Sequence, residues 1–462
     1  MTSATSINPI VMLHGYSDTG KSFQTWITKF KERNYDVKII HICKYISLSN
    51  EITIDDIAEG FDQALAQQLG EHQNFDAIVH STGILVIRAW LAKYTTQGFY
   101  KLQHLIGLAP ATFGSPIAHK GRSYLGAMFK GNREWGPDFL EAGTRVLDSL
   151  ELGSKFIWDL AHKDLLGDTA FYGSDTNTPY VFTFCGTNQF FNFQLLNQLT
   201  IKATSKIDLP LDGTDGVVRW AGCELRTRKI TIDFTKKQYQ DRLHISPWKN
   251  DGIAPLVRIE GCNHANIMGN PSPELVEIIF QALKFTSTSP QDIHNWHQVA
   301  LNILSPKSLA NAREWQQFII RAIDDNGEPI PDYYIELATT NNQHWRRIED
   351  FGVNVHVYEL DKSLRCFHVD ITDVKNLENL QIRVVASSNS DYVRYCGYAL
   401  NSQEDDLADL ELDISDILKQ KSINFFYPFT TTLVEIKLKR QTRDALVEFM
   451  LLGEESNSEL EW

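Results

Sequence analysis

Long hydrophobic runs are missing from this 462-residue sequence. No stretch approaches the ~20 apolar residues that cross a bilayer, so any membrane contact is expected to be peripheral. The N-terminus, MTSATSINPIVMLHG, has neither a basic start nor a long apolar core, and no cleavable signal peptide is expected. Positive charge is also short. There are 44 Lys and Arg against 58 Asp and Glu, for a formal net charge of -14. That balance argues against nucleic acid as a partner, because nucleic-acid binding needs a cationic face to displace counterions. It leaves membrane contact through apolar surface but not through a broad basic one. The six cysteines, Cys43, Cys185, Cys223, Cys262, Cys366 and Cys396, form no Cys-x-x-Cys pair. Zinc and thioredoxin-like redox sites lack their spacing, and buried free thiols are expected.

What is present is an ordinary globular composition, 43% hydrophobic and 22% charged, on a chain long enough for two or three domains. As far as about residue 285, apolar strands alternate with amphipathic helices. PIVML, YDVKIIHIC, FDAIV, LQHLIGLA, YVFTFCG and APLVRIEG read as six strands. Such alternation predicts a mostly parallel sheet covered on both faces. Two long segments, 111–179 and 188–253, interrupt it and read as lid-like insertions. After TSTSPQ (286–291) the pattern changes. DIHNWHQVALNIL reads as a linking helix. From about Glu314, QQFIIRAI, DYYIELAT, NVHVYEL, RCFHVDIT, LQIRVVAS, YVRYCGYAL, TLVEIKLKR and ALVEFMLL read as strands of an antiparallel β-sandwich. The expected organisation is a catalytic α/β domain over 1–290, a linker over 291–313 and a β-sandwich over 314–462. The acidic stretch EDDLADLELDISD (404–416) fits no calcium loop and reads as a solvated face. In HNWH, His294 and His297 have a metal-like spacing but no third ligand nearby, and no metal site is expected.

HGYSDTGKS, residues 14 to 22, can be read in two ways. Gly15, Gly20, Lys21 and Ser22 spell a phosphate-cradling loop. The same residues also form a His-Gly turn after a strand, where some hydrolases place an oxyanion hole. A phosphate loop needs a partner strand ending in a magnesium-binding acid. The candidates, ITID at 52–55 and at 230–233, do not read as suitable parallel strands.

AIVHSTG (77–83) favours the hydrolase reading. Ser81 falls at a strand-to-helix junction with Gly83 two residues on, the position of the nucleophile in a Gly-x-Ser-x-Gly elbow. Val79 stands where the first Gly would be. A serine needs a base, and the base needs an orienting carboxylate. Both follow in the α/β-hydrolase order Ser, Asp, His. Asp215 lies in LDGTDGVVRW after the fifth strand, and His264 in VRIEGCNHANIMG after the sixth. Asp212 is the second candidate for the acid and Asp208 the third. The oxyanion donors are then the amides of Thr82 and of Tyr16 or Gly15.

In this combination the chain resembles the PlaB-like bacterial phospholipases A. The features in common are HGYSD near the N-terminus, the His80-Ser81-Thr82-Gly83 elbow, the late Asp and His, and a β-rich half after about residue 300. The resemblance spans nearly the whole chain. It implies phospholipase A and lysophospholipase activity on lipid esters, with Ser81, Asp215 and His264 as triad. It further implies peripheral membrane association after cytoplasmic synthesis, membrane-damaging activity, and homo-oligomers such as tetramers.

Catalysis through such a triad requires no cofactor. The aromatic clusters Phe190, Phe191 and Phe193, with Leu195 and Leu196, and Trp135, Phe139, Phe156 and Trp158 offer an acyl-binding wall or, alternatively, packing for the insertions. An esterase or acyltransferase acting on smaller or neutral lipid esters is the competing enzymatic reading. A non-catalytic hydrolase-fold scaffold is the competing reading of another class.

Overall fold

The computed structural model describes residues 7–15, 21–40, 51–70, 74–94, 101–118, 143–173, 178–188, 212–249, 252–305, 313–341, 344–348, 352–374, 377, 379–398 and 407–442. In chain order its elements begin with β1 (Ile10–Leu13), α1 (Gln24–Glu32), β2 (Val37–Ile40), α2 (Ile54–Leu69), β3 (Asn74–His80), α3 (Gly83–Tyr94) and β4 (Lys101–Leu108). Then come α4 (Thr144–Leu150), α5 (Lys155–Asp164), β5 (Tyr180–Gly186), β6 (Thr227–Asp233), β7 (Leu243–Ile245) and β8 (Val257–Ile259). The helices α6 (Asn266–Gly269), α7 (Pro273–Ala282) and α8 (Pro290–Leu304) follow, then β9 (Trp315–Asp324), β10 (Asp332–Asn341), β11 (His344–Arg347), β12 (Val353–Val357) and β13 (Leu364–Asp370). The last are β14 (Gln381–Ser387), β15 (Val393–Cys396), β16 (Leu407–Asp413), α9 (Ser415–Lys421) and β17 (Thr431–Thr442).

The first sheet has the order β2-β1-β3-β4-β5-β8, and every pairing in it is parallel. Its inner strands β1 and β3 and the strands β5 and β8 are buried along almost their whole length, which is why they read as apolar runs, while the edge strand β2 is only partly covered. Helix entry is specified locally. Thr53 and Asp56 form a reciprocal capping box at α2, and Ser272 caps α7 ahead of Pro273. The fold is an α/β hydrolase followed by a β-rich half, as the alternation predicts.

The second half differs in detail from a plain antiparallel sandwich. A four-stranded antiparallel sheet, β11-β10-β14-β16, faces a larger one of order β12-β13-β9-β17-β6-β7. The larger sheet is mixed, because β17 runs parallel to both β9 and β6. Strands β6 and β7 come from 188–253, which had read as an insertion in the catalytic domain. The boundary near 290 therefore does not separate the two sheets: 227–245 belongs to the larger β-sheet. The strand at 230–233 is real, but it pairs with β17 and β7 and is not part of the parallel sheet that contains β1.

Burial explains why the halves cannot be cut at the linker. On one face of β9, Phe318 and Ile320 join the core between the two β-sheets. On the other, Ile319 joins the α/β core together with Leu364, Cys366 and Leu433. From Leu407 on, the acidic run becomes β16 and the start of α9, and 404–406 lie outside the described residues. Asp409 and Glu411 point outward, while Ala408 and Leu412 are buried. The ALVEFMLL segment and Trp462 lie outside the described residues.

Candidate active site

Strand β3 ends at His80, and the chain turns abruptly at Ser81, whose φ is +52°. A non-glycine residue in this left-handed region is strained and persists only where its surroundings hold it. Here they do. The Ser81 amide donates to the Leu108 carbonyl at 3.2 Å, and the Ser81 carbonyl accepts from the Ala111 amide at 3.1 Å. Thr82, buried, leads directly into α3. The first turn of that helix aims its amides and positive end toward the junction.

The His14-Gly15 turn leans on this elbow. A Cβ at Gly15 would lie 2.8 Å from the Ser81 Cβ and 3.5 Å from its Oγ, so no larger residue fits that approach. Gly15 thus sits directly beside the nucleophile position. Tyr16, the other candidate donor, and Gly20 lie outside the described residues.

Asp215 and His264 meet. His264 Nδ1 is 2.8 Å from Asp215 Oδ2, with both side chains buried. Asp215 Oδ1 accepts from the amides of Val217 and Val218, each at 2.9 Å. With the carboxylate acting as acceptor, Nδ1 carries the proton and Nε2 is the basic nitrogen. Asp212 is elsewhere: its carboxylate is 70% exposed and lies 4.0 Å from Arg313. Asp208 is outside the described residues. The His264 loop is tied to the elbow through His80. His80 Nε2 donates to the His264 carbonyl at 3.0 Å, and the two rings are 4.7 Å apart. This tether was not singled out in the sequence; its signal is a histidine beside the elbow serine.

Cysteines close to Asp215 do not compete as nucleophiles. Burial pushes the Cys185 and Cys223 thiols up, and Asp215's charge adds to it. Cys262 is raised to about 12, first by burial and then by Asp215. Protonated thiols are poor nucleophiles. The five described cysteines are free.

The acid loop rests on the β-rich half, a support that sequence spacing does not reveal. A Cβ at Gly213, whose φ is +72°, would lie 2.7 Å from the Trp315 indole at the start of β9. Arg219, buried, reaches toward Gln317 Oε1 at 3.5 Å and Cys366 Sγ at 3.6 Å. Thr431 Oγ1 donates to the Ala221 carbonyl at 2.7 Å. On the nucleophile side, the buried Arg88 of α3 forks onto Asp164 at 2.8 and 2.9 Å and donates to the Thr112 carbonyl.

Of the expected acyl wall, Trp158 is buried and Phe156 packs at the edge of the α/β core, which is the packing role. Phe190, Phe191, Phe193, Leu195, Leu196, Trp135 and Phe139 lie outside the described residues. In α8, His294 is exposed, whereas His297 Nε2 bonds the Leu256 carbonyl at 3.1 Å. No three His, Cys, Asp or Glu side chains cluster as metal ligands among the described residues.

The sheet order and the strand-end elbow define the chain as an α/β-hydrolase fold with a fused β-rich half. Solved structures of phospholipase PlaB from Legionella pneumophila share that whole architecture. The match has a TM-score of 0.70, covers 98% of each chain and is 22% identical in sequence. The same values hold for that enzyme in complex with thio-NAD. No family model matches the chain, and no curated protein sequence does either. Among the described residues, no helix is long and apolar enough to cross a membrane.

Proposed function

We propose that this protein is a serine ester hydrolase acting on phospholipids and lysophospholipids through an acyl-enzyme. The observation that carries the reading is the 2.8 Å pairing of His264 Nδ1 with buried Asp215, on a loop tied through His80 to the elbow that holds Ser81 at φ +52°. Ser81 Oγ attacks the ester carbonyl as His264 Nε2 takes its proton. Asp215 holds the imidazole in that tautomer and stabilises the imidazolium. The amide of Thr82, with one from Tyr16 or Gly15, binds the tetrahedral oxyanion. Collapse expels the alcohol, protonated by His264. Water, deprotonated by the same nitrogen, then releases the fatty acid and restores Ser81. No cofactor enters these steps.

Support for lipid esters comes from the full-length likeness to a phospholipase. With it come, as part of the same proposal, peripheral membrane contact and a homo-oligomeric state such as a tetramer. The test is fatty-acid release from phosphatidylcholine, lysophosphatidylcholine and a short soluble ester by wild type and Ser81→Ala. Release from both lipids that disappears in the variant is expected. Cleavage of the short ester alone would remove the lipid assignment and leave an esterase.

A further inference from the structure

The β-rich half contains an opening that the proposed reaction does not use. Between its two sheets lies a cavity of about 120 Å³ lined only by apolar side chains. Phe318, Ile320, Ile335, Leu337, Phe367 and Val434 form much of its wall. Protein interiors normally close such space. An apolar cavity of comparable size, ~150 Å³, stays dry and takes an apolar guest such as benzene.

The cavity reaches the surface at the edge strand β12. Val353 of β12 belongs to the lining and is 43% exposed. Val355 and Val357 continue the same face and are exposed too. The cross-strand partners of Val353 and Val355, Val369 and Phe367, line the cavity, so this is the inner face of the sheet, extending past its cover. Three valines at every second position make this edge of the sheet apolar, and Val353 is the one at the cavity mouth.

The opposite edge carries charge. Arg346 pairs with Thr339, which shares its face with Leu337 of the lining. Arg346 therefore lies on the cavity side of β11. It is exposed and has no carboxylate partner among the described residues, whereas Arg347 on the outer face pairs with Glu336 at 3.3 Å. An apolar slot with an apolar residue at its mouth and one cation beyond it complements an alkyl chain ending in an anion.

The geometry points to a fatty-acid site in the β-rich half, with the chain's tail in the cavity, its emerging part beside Val353 and its carboxylate at Arg346. Naming a fatty acid, rather than another alkyl anion, rests on the proposed reaction, which releases one. The slot itself does not depend on that reaction.

Binding is read in the full-length Ser81→Ala protein, so no turnover is needed. The probe is radiolabelled laurate, followed by equilibrium dialysis, and unlabelled laurate or dodecanol is the displacing ligand. Saturable binding displaced by laurate is expected. Val353→Trp, which plugs the mouth from an exposed position, should weaken it at least tenfold. Arg346→Glu should weaken laurate several-fold but leave dodecanol unchanged. Both substitutions are on exposed edge strands, and an unaltered melting curve establishes that each variant folds. Absence of binding, or equal binding by folded Val353→Trp, would overturn the site. Neither result bears on ester cleavage by the Ser81 enzyme, which is measured separately.

Discussion

At the scale of single residues, Ser81 combines two costs that a purely structural serine would avoid: a left-handed backbone and near-complete burial at a helix entrance. His264 is oriented by Asp215, and Asp215 by two amides. Asp215→Asn should therefore lower kcat by about 10⁴-fold through loss of the correct imidazole tautomer. Asp212→Asn should leave kcat near wild type, and a large loss there would move the acid's role. The meeting of Asp215 with His264 was legible in the sequence, because these two and Ser81 fall at strand ends in the order that an α/β hydrolase uses. The sequence favours Asp215 over Asp212 although both precede a glycine, and what separates them is burial and the contact of Asp215 with His264.

His297 shows how a sequence motif can carry a structural role. Burial, its largest influence, pulls its pKa down to about 4, although its bond to the Leu256 carbonyl opposes this. The folded protein therefore holds this ring neutral where the unfolded chain would protonate it. The corresponding stability is present above the unfolded value near ~6.5 and is lost as pH falls through that value toward about 4. The loss amounts to at most roughly 3 kcal/mol. His297→Gln should flatten the pH dependence of the melting temperature between those limits. An unchanged slope would contradict the assignment.

At the scale of elements, β9 joins the two halves of the molecule. Ile319 faces the α/β core, Phe318 the β core, and Trp315 lies under the acid loop. Its almost continuous burial made QQFIIRAI easy to recognise as a strand but hid which neighbours cover it. Trp315→Ala opens space beneath Gly213 and should let the Asp215 loop shift. The expected result is a ten- to hundred-fold fall in kcat on a short ester with KM little changed, and Trp315→Phe should recover most of it. Equal losses in kcat and stability for both variants would indicate packing alone. Strand β6 escaped recognition as part of the second sheet because TRKITID lies about 200 residues before its partner β17 in sequence. Apolar patterning reports that a strand exists, not which distant strand it joins.

At the scale of the whole molecule, the shared core decides what can be separated. Residues 1–290 contain β6 and β7 but lack β17, their route into the sheet, along with Ile319, Leu364 and Leu433 from the α/β core. Expressed alone, this piece should aggregate or fail to melt cooperatively, since it exposes strand edges and a large apolar face. A soluble, active fragment would contradict the picture of one interlocked body. The two-part organisation was legible from the change in pattern after residue 285. The interlock was not, because it depends on long-range pairing.

The central claim is that Ser81 is an activated nucleophile. The most direct test is labelling by a fluorophosphonate probe, located by peptide mass spectrometry, in wild type, Asp215→Asn and Ser81→Ala. One adduct per chain on Ser81 is expected, slowed strongly in Asp215→Asn and missing from Ser81→Ala. A wild-type protein that stays unlabelled, or a label that persists in folded Ser81→Ala, would contradict it.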